Sequence, residues 1–235
     1  MRRIVTMHQP NYLPWIGLFS KIMQAECFVI ADTFQYTNKG VIHRNKIRTQ
    51  AGSSYLTIPI SSHFRTARIN EVELPQNLKW RNEHWRTIYL NYAKADCFKE
   101  NSEFFEKLYQ KDFGYLWQIN MEIIRYLLES FNINVELIKA SELNIDQNLS
   151  SSDLIIAVLK RLDGKIYLSG PSGRGYLELD KFRQNKIDVK FSKFNHPIYK
   201  QRYPGFEPYM SSVDLLFNTG AKSNEIIKTS GNIED

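Results

Sequence analysis

Residues Val5 to Asp32 read VTMHQPNYLPWIGLFSKIMQAECFVIAD, and this stretch decides the fold. Ile4 to Met7 is a short apolar run with β-branched members, which is strand chemistry. His8-Gln9-Pro10-Asn11-Tyr12 breaks it with polar residues and a proline. Pro14 suits a helix start, because the N–H it lacks would be unpaired there anyway. Trp15, Leu18, Phe19 and Ile22 then recur at helical spacing, and Cys27 to Ala31 is a second buried strand closed by Asp32. Strand, polar loop, helix and strand make a parallel unit. Its strand ends face one side, so His8 and Asp32 are expected near each other where ligands of such sheets sit.

Further along, helix and strand keep alternating. Trp80–Tyr92, Ser102–Tyr109, Leu116–Phe131, Leu154–Leu162 and Leu179–Gln184 carry helical patterns. Val135–Ile138, Ile166–Ser169 and Ile187–Phe191 are short apolar strands. Ser150 to Asp153 offers caps for the helix at Leu154, and Ser211 or Ser212 for a last helix around Ser212–Phe217. The segment 36–74 differs: His43–Thr49 and Tyr55–Ile60 alternate, with turns between, and Ile69–Leu74 reads as one more short strand. The expectation is a single α/β domain over residues 1–235. It has a Rossmann-like, mainly parallel sheet flanked by helices, with a β-hairpin insertion after the second strand lying over the mouth of the first unit. The polar final residues are expected to fray.

Composition narrows the function. The chain has 235 residues, 43% of them hydrophobic, enough for a sizeable core. The net charge of +6 is spread among acids, so it favours anionic ligands weakly and nucleic acid less than a nucleotide-linked or phosphorylated small molecule. Cys27 and Cys97 sit in apolar settings and read as reduced core residues. No run approaches the ~18 apolar residues of a membrane span, and Met-Arg-Arg leads into a strand where a signal peptide would have its apolar core. A cytoplasmic protein is expected.

Two loops carry the candidate chemistry. In the first, His8 can meet a phosphate or move a proton, and Gln9, Asn11 and Tyr12 add hydrogen-bonding groups before a helix start. Asp32 reads either as a partner for a ribose or a basic group, or as a turn cap; Gln35 and Tyr36 extend the same wall. Arg44 and Lys46 share a strand face that suits an anion or simply faces solvent. In the second loop, Ser169-Gly170-Pro171-Ser172-Gly173-Arg174-Gly175 follows a strand. It reads as an oxyanion-binding turn with Arg174 as its charge, or as a structural turn. It lacks the spacing of a phosphate-binding Gly-Lys-Ser/Thr loop and of a nucleophile elbow. Tyr199 and Gln201 form a polar, aromatic strip able to edge a pocket, while Trp15 and Trp85 read as core. The histidines lack metal-ligand spacing, so no metal site is expected.

These same segments resemble the WbqC-like protein family. The resemblance rests on His8-Gln9-Pro10-Asn11-Tyr12-Leu13-Pro14-Trp15 with Gly17 and Phe19, on Asp32 and Gln35-Tyr36, and on Arg44-Asn45-Lys46. Tyr167-Leu168-Ser169-Gly170, Tyr199, Gln201, Phe206 and Asp214-Leu215-Leu216-Phe217-Asn218 continue it. It spans nearly the whole chain in order, and implies a role in polysaccharide gene clusters, O-antigen clusters included, in modifying sugars. The expected activity is transfer of a small acyl or aminoacyl group to an amino sugar, with His8, Asp32 and Arg44 catalytic. The opening unit is also similar to HIGH-type nucleotidyltransferases, which would bring ATP and magnesium, but Pro14-Trp15 stands where their Gly-His would be. A non-catalytic nucleotide-sugar-binding subunit, alone as a homo-oligomer or within a glycan-assembly complex, is the third reading.

Overall fold

A computed structural model describes residues 2–146, 148, 149 and 151–234. In chain order the strands are β1 (Ile4–His8), β2 (Cys27–Ile30), β3 (Arg44–Thr49), β4 (Gly52–Thr57), β5 (Glu136–Lys139), β6 (Ile166–Ser169), β7 (Asp188–Phe194) and β8 (Gly231–Glu234). The helices are α1 (Ile16–Ile22), α2 (Lys79–Tyr92), α3 (Phe98–Gln110), α4 (Leu116–Ser130), α5 (Ser151–Arg161), α6 (Leu179–Gln184), α7 (Ser212–Thr219) and α8 (Ser223–Lys228). Six strands join in one sheet of order β5-β2-β1-β6-β7-β8, and β3 and β4 form a separate antiparallel pair.

The sheet is parallel from β5 to β7 and ends in antiparallel β8. Val5 lies opposite Cys27 on one side and Tyr167 on the other, so β1 is central. Central parallel strands are covered on both faces, which is why they are apolar runs without alternation. Side chains still alternate between faces. Phe28 and Ile30 join one core with Phe19 and Ile22 of α1, while Cys27 and Val29 join a second with Ile155 and Leu159 of α5.

Strands β1, β2 and β5 step outward one way. The chain then returns over the sheet through α5 and continues on the other side of β1 with β6 and β7. Where the direction of winding reverses, the loops after β1 and β6 diverge and leave a crevice at the strand ends.

Two sequence expectations are revised and one element is added. Ile69–Leu74 is not a strand: Ile69–Glu71 is a 3₁₀ turn, its first N–H bonded to Phe34 O and Glu71 reaching back to the Arg68 N–H. Residues 231–234 do not fray; their backbone pairs with Phe191–Phe194, and Glu234 binds Lys193 at 2.8 Å. A polar strand on a sheet edge is common, since charge there discourages further pairing. The region 223–228, unassigned by pattern, is α8. Of the expected caps, Ser211 caps α7 by accepting from Val213 N, and Ser150 lies outside the described residues. Among the described residues no helix is long and apolar enough to cross a membrane.

Candidate functional site

The loop after β1 is held in a demanding conformation. Leu13 adopts φ 44°, a left-handed backbone that costs a non-glycine residue of order 1 kcal/mol or more. Side chains from three distant elements clamp the carbonyls around it. Asn120 Nδ2 on α4 donates to Pro10 O at 2.8 Å, Asn45 Nδ2 on β3 to Leu13 O at 2.6 Å, and Ser212 Oγ on α7 to Pro14 O at 2.6 Å. Tyr12 is fully buried, its hydroxyl bonded to His84 Nδ1 at 2.8 Å and to the Tyr109 hydroxyl. Asn11 is buried too, and neither polar atom of its side chain has a partner among the described residues.

With the loop fixed, a cavity of about 600 Å3 opens between the ends of β1 and β6. His8 and Gln9 line it from one loop, and Ser169, Gly170 and Ser172 from the other. The two loops expected to share a cleft therefore do so. Trp15 and Lys21 come from the start and the body of α1. Tyr176 and Tyr209, both more than half exposed, supply the outer wall. No described residue lining the cavity is Asp or Glu.

Glycine shapes the cavity in two places. A Cβ on Gly17 would lie 2.3 Å from the Trp15 ring, so only glycine lets that indole lie back over α1. There Trp15 meets Phe194 edge-on, with centroids 5.0 Å apart. It is half-buried, packed against the core on one side as its spacing suggests and lining the cavity on the other. On Gly173 a Cβ would lie 2.1 Å from Ser169 Oγ, so the 3₁₀ turn Pro171–Gly175 packs directly on that hydroxyl.

The chemistry at the base of the cavity is cationic or neutral. His8 Nδ1 is 2.9 Å from Gln9 O. A carbonyl only accepts, so Nδ1 carries the proton and Nε2 keeps the lone pair. Burial, reinforced by the Lys21 ammonium, lowers the His8 pKa from 6.5 to about 4, so the ring is neutral at physiological pH. Lys21 is buried on an α1 that is buried along its whole length. Among the described residues its Nζ donates one hydrogen bond, to Met7 O at 3.1 Å, and burial lowers its pKa from 10.5 to about 7. Sequence reading missed Lys21, since a lysine at the end of a short helix ordinarily faces solvent. The available signal was its place on a short helix that leads directly into the wholly apolar strand Cys27–Ile30.

The remaining expected site residues lie outside the cavity lining. Asp32 accepts from Ser141 N at 3.0 Å and Ser141 Oγ at 2.6 Å, capping the turn after β5, which is the turn-cap alternative of its two readings. His8 therefore takes its orientation from the Gln9 carbonyl. Gln35 is at the surface, 3.5 Å from Arg65 O. Arg44 and Lys46 both lie over the Tyr55 ring, at 5.1 and 5.4 Å from its centroid, on the outside of the hairpin. Arg174 stacks over Phe191 at 3.9 Å.

Tyr199 and Gln201 do converge, but on a carboxylate. Asp214 on α7 is fully buried and accepts from Tyr92 Oη at 2.9 Å, Tyr199 Oη at 2.7 Å and Gln201 Nε2 at 2.8 Å. Arg48 N donates to the Tyr92 hydroxyl, and the Arg48 guanidinium binds Thr49 O, Gly52 O and Pro204 O. This cluster ties the hairpin, α2 and the tail together.

Comparison with known proteins gives these features a context. The profile of the WbqC-like protein family matches residues 9–226. The uncharacterized protein Rv1507c of Mycobacterium tuberculosis is 28% identical over 226 residues, covering 95% of this chain and 97% of its own. The family match begins in the His8 loop and runs through the cavity-forming loops to the helices that brace them: the chain belongs to the WbqC-like protein family.

Proposed function

We propose that the cavity is the active site of a transferase that carries a small acyl or aminoacyl group to the amino nitrogen of a nucleotide-linked sugar, in the making of surface polysaccharides such as O-antigen. The observation that carries this reading is the His8 tautomer. A neutral imidazole presents its Nε2 lone pair in a cavity whose described lining has no carboxylate to compete as base. The family's name supports the sugar context. The strand order, renumbered within the sheet as 3-2-1-4-5-6, supports a Rossmann-like reading, with ligand at the switch point between the first and fourth of these strands.

In this mechanism the sugar amine attacks the carbonyl carbon of the acyl donor, and the new C–N bond forms as Nε2 of His8 takes the amine proton. The oxyanion that develops is met by donors of the second loop, the Ser172 hydroxyl and the Gly170 N–H. Collapse breaks the bond to the leaving group, which receives the proton from His8. The products are an amide and a protonated leaving group. With a pKa of about 4, His8 is in its basic form throughout the physiological range, though it is a weak base. Tyr176 and Tyr209 offer flat faces for a sugar or a base.

The test is mass spectrometry of nucleotide-linked amino sugars incubated with the protein and acyl or aminoacyl thioesters. Amide formation is expected, and His8→Ala should lower kcat by about 10²- to 10⁴-fold with the fold intact. Magnesium- and ATP-dependent pyrophosphate release without amide product would replace the proposal with nucleotidyl transfer or ligation. Tight binding without turnover would make the protein a binding subunit.

A further inference from the structure

We infer that Lys21 anchors a phosphoryl group of the ligand inside the cavity. The inference rests on reading the cavity as a ligand site, and it is independent of acyl transfer. A primary amine has three donor positions when charged, and Lys21 uses one, on Met7 O. It is buried, it lines the cavity, and no described carboxylate shares the lining. A buried ammonium without a counter-ion is costly, so an anion entering the cavity supplies what the fold leaves out. A compact, strongly donating ammonium suits a tetrahedral oxyanion as a point charge, and the Ser172 hydroxyl lines the same space as a neutral donor, while the Ser169 hydroxyl donates to Gly170 O.

Binding is then coupled to protonation. In the empty cavity Lys21 loses its proton near pH 7, and a bound phosphoryl group holds the proton on. The other titratable groups of the lining are His8, neutral in this range, the tyrosines Tyr167 and Tyr176, whose pKa values burial raises, and Tyr209. The elements packed against α1 bring Asp188, paired with Arg2, with Lys190 and Lys193 on β7, Glu225 and Lys228 on α8 and Glu234 on β8. Glu234 is engaged at the surface by Lys193. Burial is the cause of the lowered lysine pKa, so a charge delivered from outside has the largest leverage.

The experiment is a titration of the whole protein with sulfate, a tetrahedral dianion that does not itself titrate near neutrality. Binding is followed by Trp fluorescence and calorimetry at several pH values. Sulfate affinity is expected to be flat below pH about 6 and to fall about tenfold per pH unit above about 7, the linkage of one proton taken up on binding. Lys21→Met should weaken sulfate about ten- to a hundredfold at pH 6.5 and remove the slope. Lys21→Arg, charged at every pH, should bind sulfate without the slope. Wild-type affinity that ignores pH, or a Lys21→Met variant that binds sulfate like the wild type, overturns the inference. If Lys21→Met does not fold, the wild-type slope decides alone. Acetate bound more tightly than sulfate, with the same dependence on Lys21, overturns the phosphoryl assignment in favour of a carboxylate. A clear Lys21 slope with no amide product from any thioester would sink the transferase proposal and leave this one standing.

Discussion

Two buried polar groups, Lys21 and Asp214, lie on helices flanking the same loop and are treated oppositely by the fold. Asp214 is surrounded by donors: two tyrosine hydroxyls and a glutamine amide reach it, and Asn218 Nδ2 adds a longer contact at 3.4 Å. Lys21 has one backbone carbonyl and an open cavity. A satisfied buried charge is a structural device, because every lone pair it would have given to water is replaced. An under-satisfied one is left waiting for something the chain does not contain. Under the phosphoryl proposal the difference marks where a ligand would be received: at the charge the fold fails to neutralise.

The contrast breaks most visibly in stability. Asp214→Ala strands Tyr92, Tyr199 and Gln201 in the core and should cost about 3–5 kcal/mol, read as a lower urea midpoint. Lys21→Met should have the opposite sign, stabilising the ligand-free protein by about 1 kcal/mol or more at pH 7. The sign follows from linkage. The folded pKa is about 7 and the ordinary one 10.5, so the unfolded chain binds more protons between them. Stability due to this group falls as pH drops from about 10 to 7, and the gain from Lys21→Met should vanish near pH 10. Destabilisation of equal size by both variants would erase the distinction.

The acid limb gives the next largest effect. His8 and His84 are both neutral in the fold with pKa values lowered from 6.5 to about 4 by burial. Their contribution is complete above about pH 6.5 and is lost as pH falls toward 4, on the order of 3 kcal/mol each. Burial raises the Asp214 pKa, so that carboxylate works the other way, favouring the fold at low pH and opposing it as pH rises. Burial also lowers the pKa values of His43 and His196, so denaturant midpoints between pH 7 and 4.5 should drop steeply, and the drop should be smaller in His8→Asn by up to about 3 kcal/mol. An unchanged drop would mean that His8 does not lose its proton near 4.

Gly17→Ala separates the aromatic wall from the anion anchor. The new methyl occupies the space of the Trp15 ring, which must swing away from α1. A shifted Trp emission, a stability loss of about 1–3 kcal/mol and weaker binding of nucleotide-linked sugars are expected. Sulfate held at Lys21 should be nearly unaffected. Equal losses for sugar and sulfate would show that the wall and the anchor are one unit.

How much of this was legible beforehand depends on whether a residue's partner is near it in sequence. The opening strand–loop–helix–strand unit was legible because local periodicity and a proline define it, and the glycine turn after β6 because turn chemistry is local. Tyr199 and Gln201 were read together as the edge of a pocket, and the group they meet could not be read with them. Their partner, Asp214, sits among Val213, Leu215 and Leu216 on a helix that reads as plain core. Strand β8 was missed because edge strands are polar and take their stability from a neighbour, not from their own pattern. Lys21 was missed because charge is read as exposure until the surrounding strands are in place.

The hairpin tests the other end of the comparison, where charge is exposed and inexpensive to change. Arg44 and Lys46 lie over one tyrosine ring that is itself half exposed, an arrangement worth roughly 0.5–1 kcal/mol at a surface. Neither lines the cavity. Arg44→Ala and Lys46→Ala should each lower stability by no more than about that amount, and the pair together should leave the pH slope of sulfate binding in place. If the double variant instead lost sulfate as Lys21→Met does, the hairpin would have to fold over the cavity when ligand enters. Surface charge would then belong to the site, and the division between satisfied and waiting groups would have to be redrawn around a moving element.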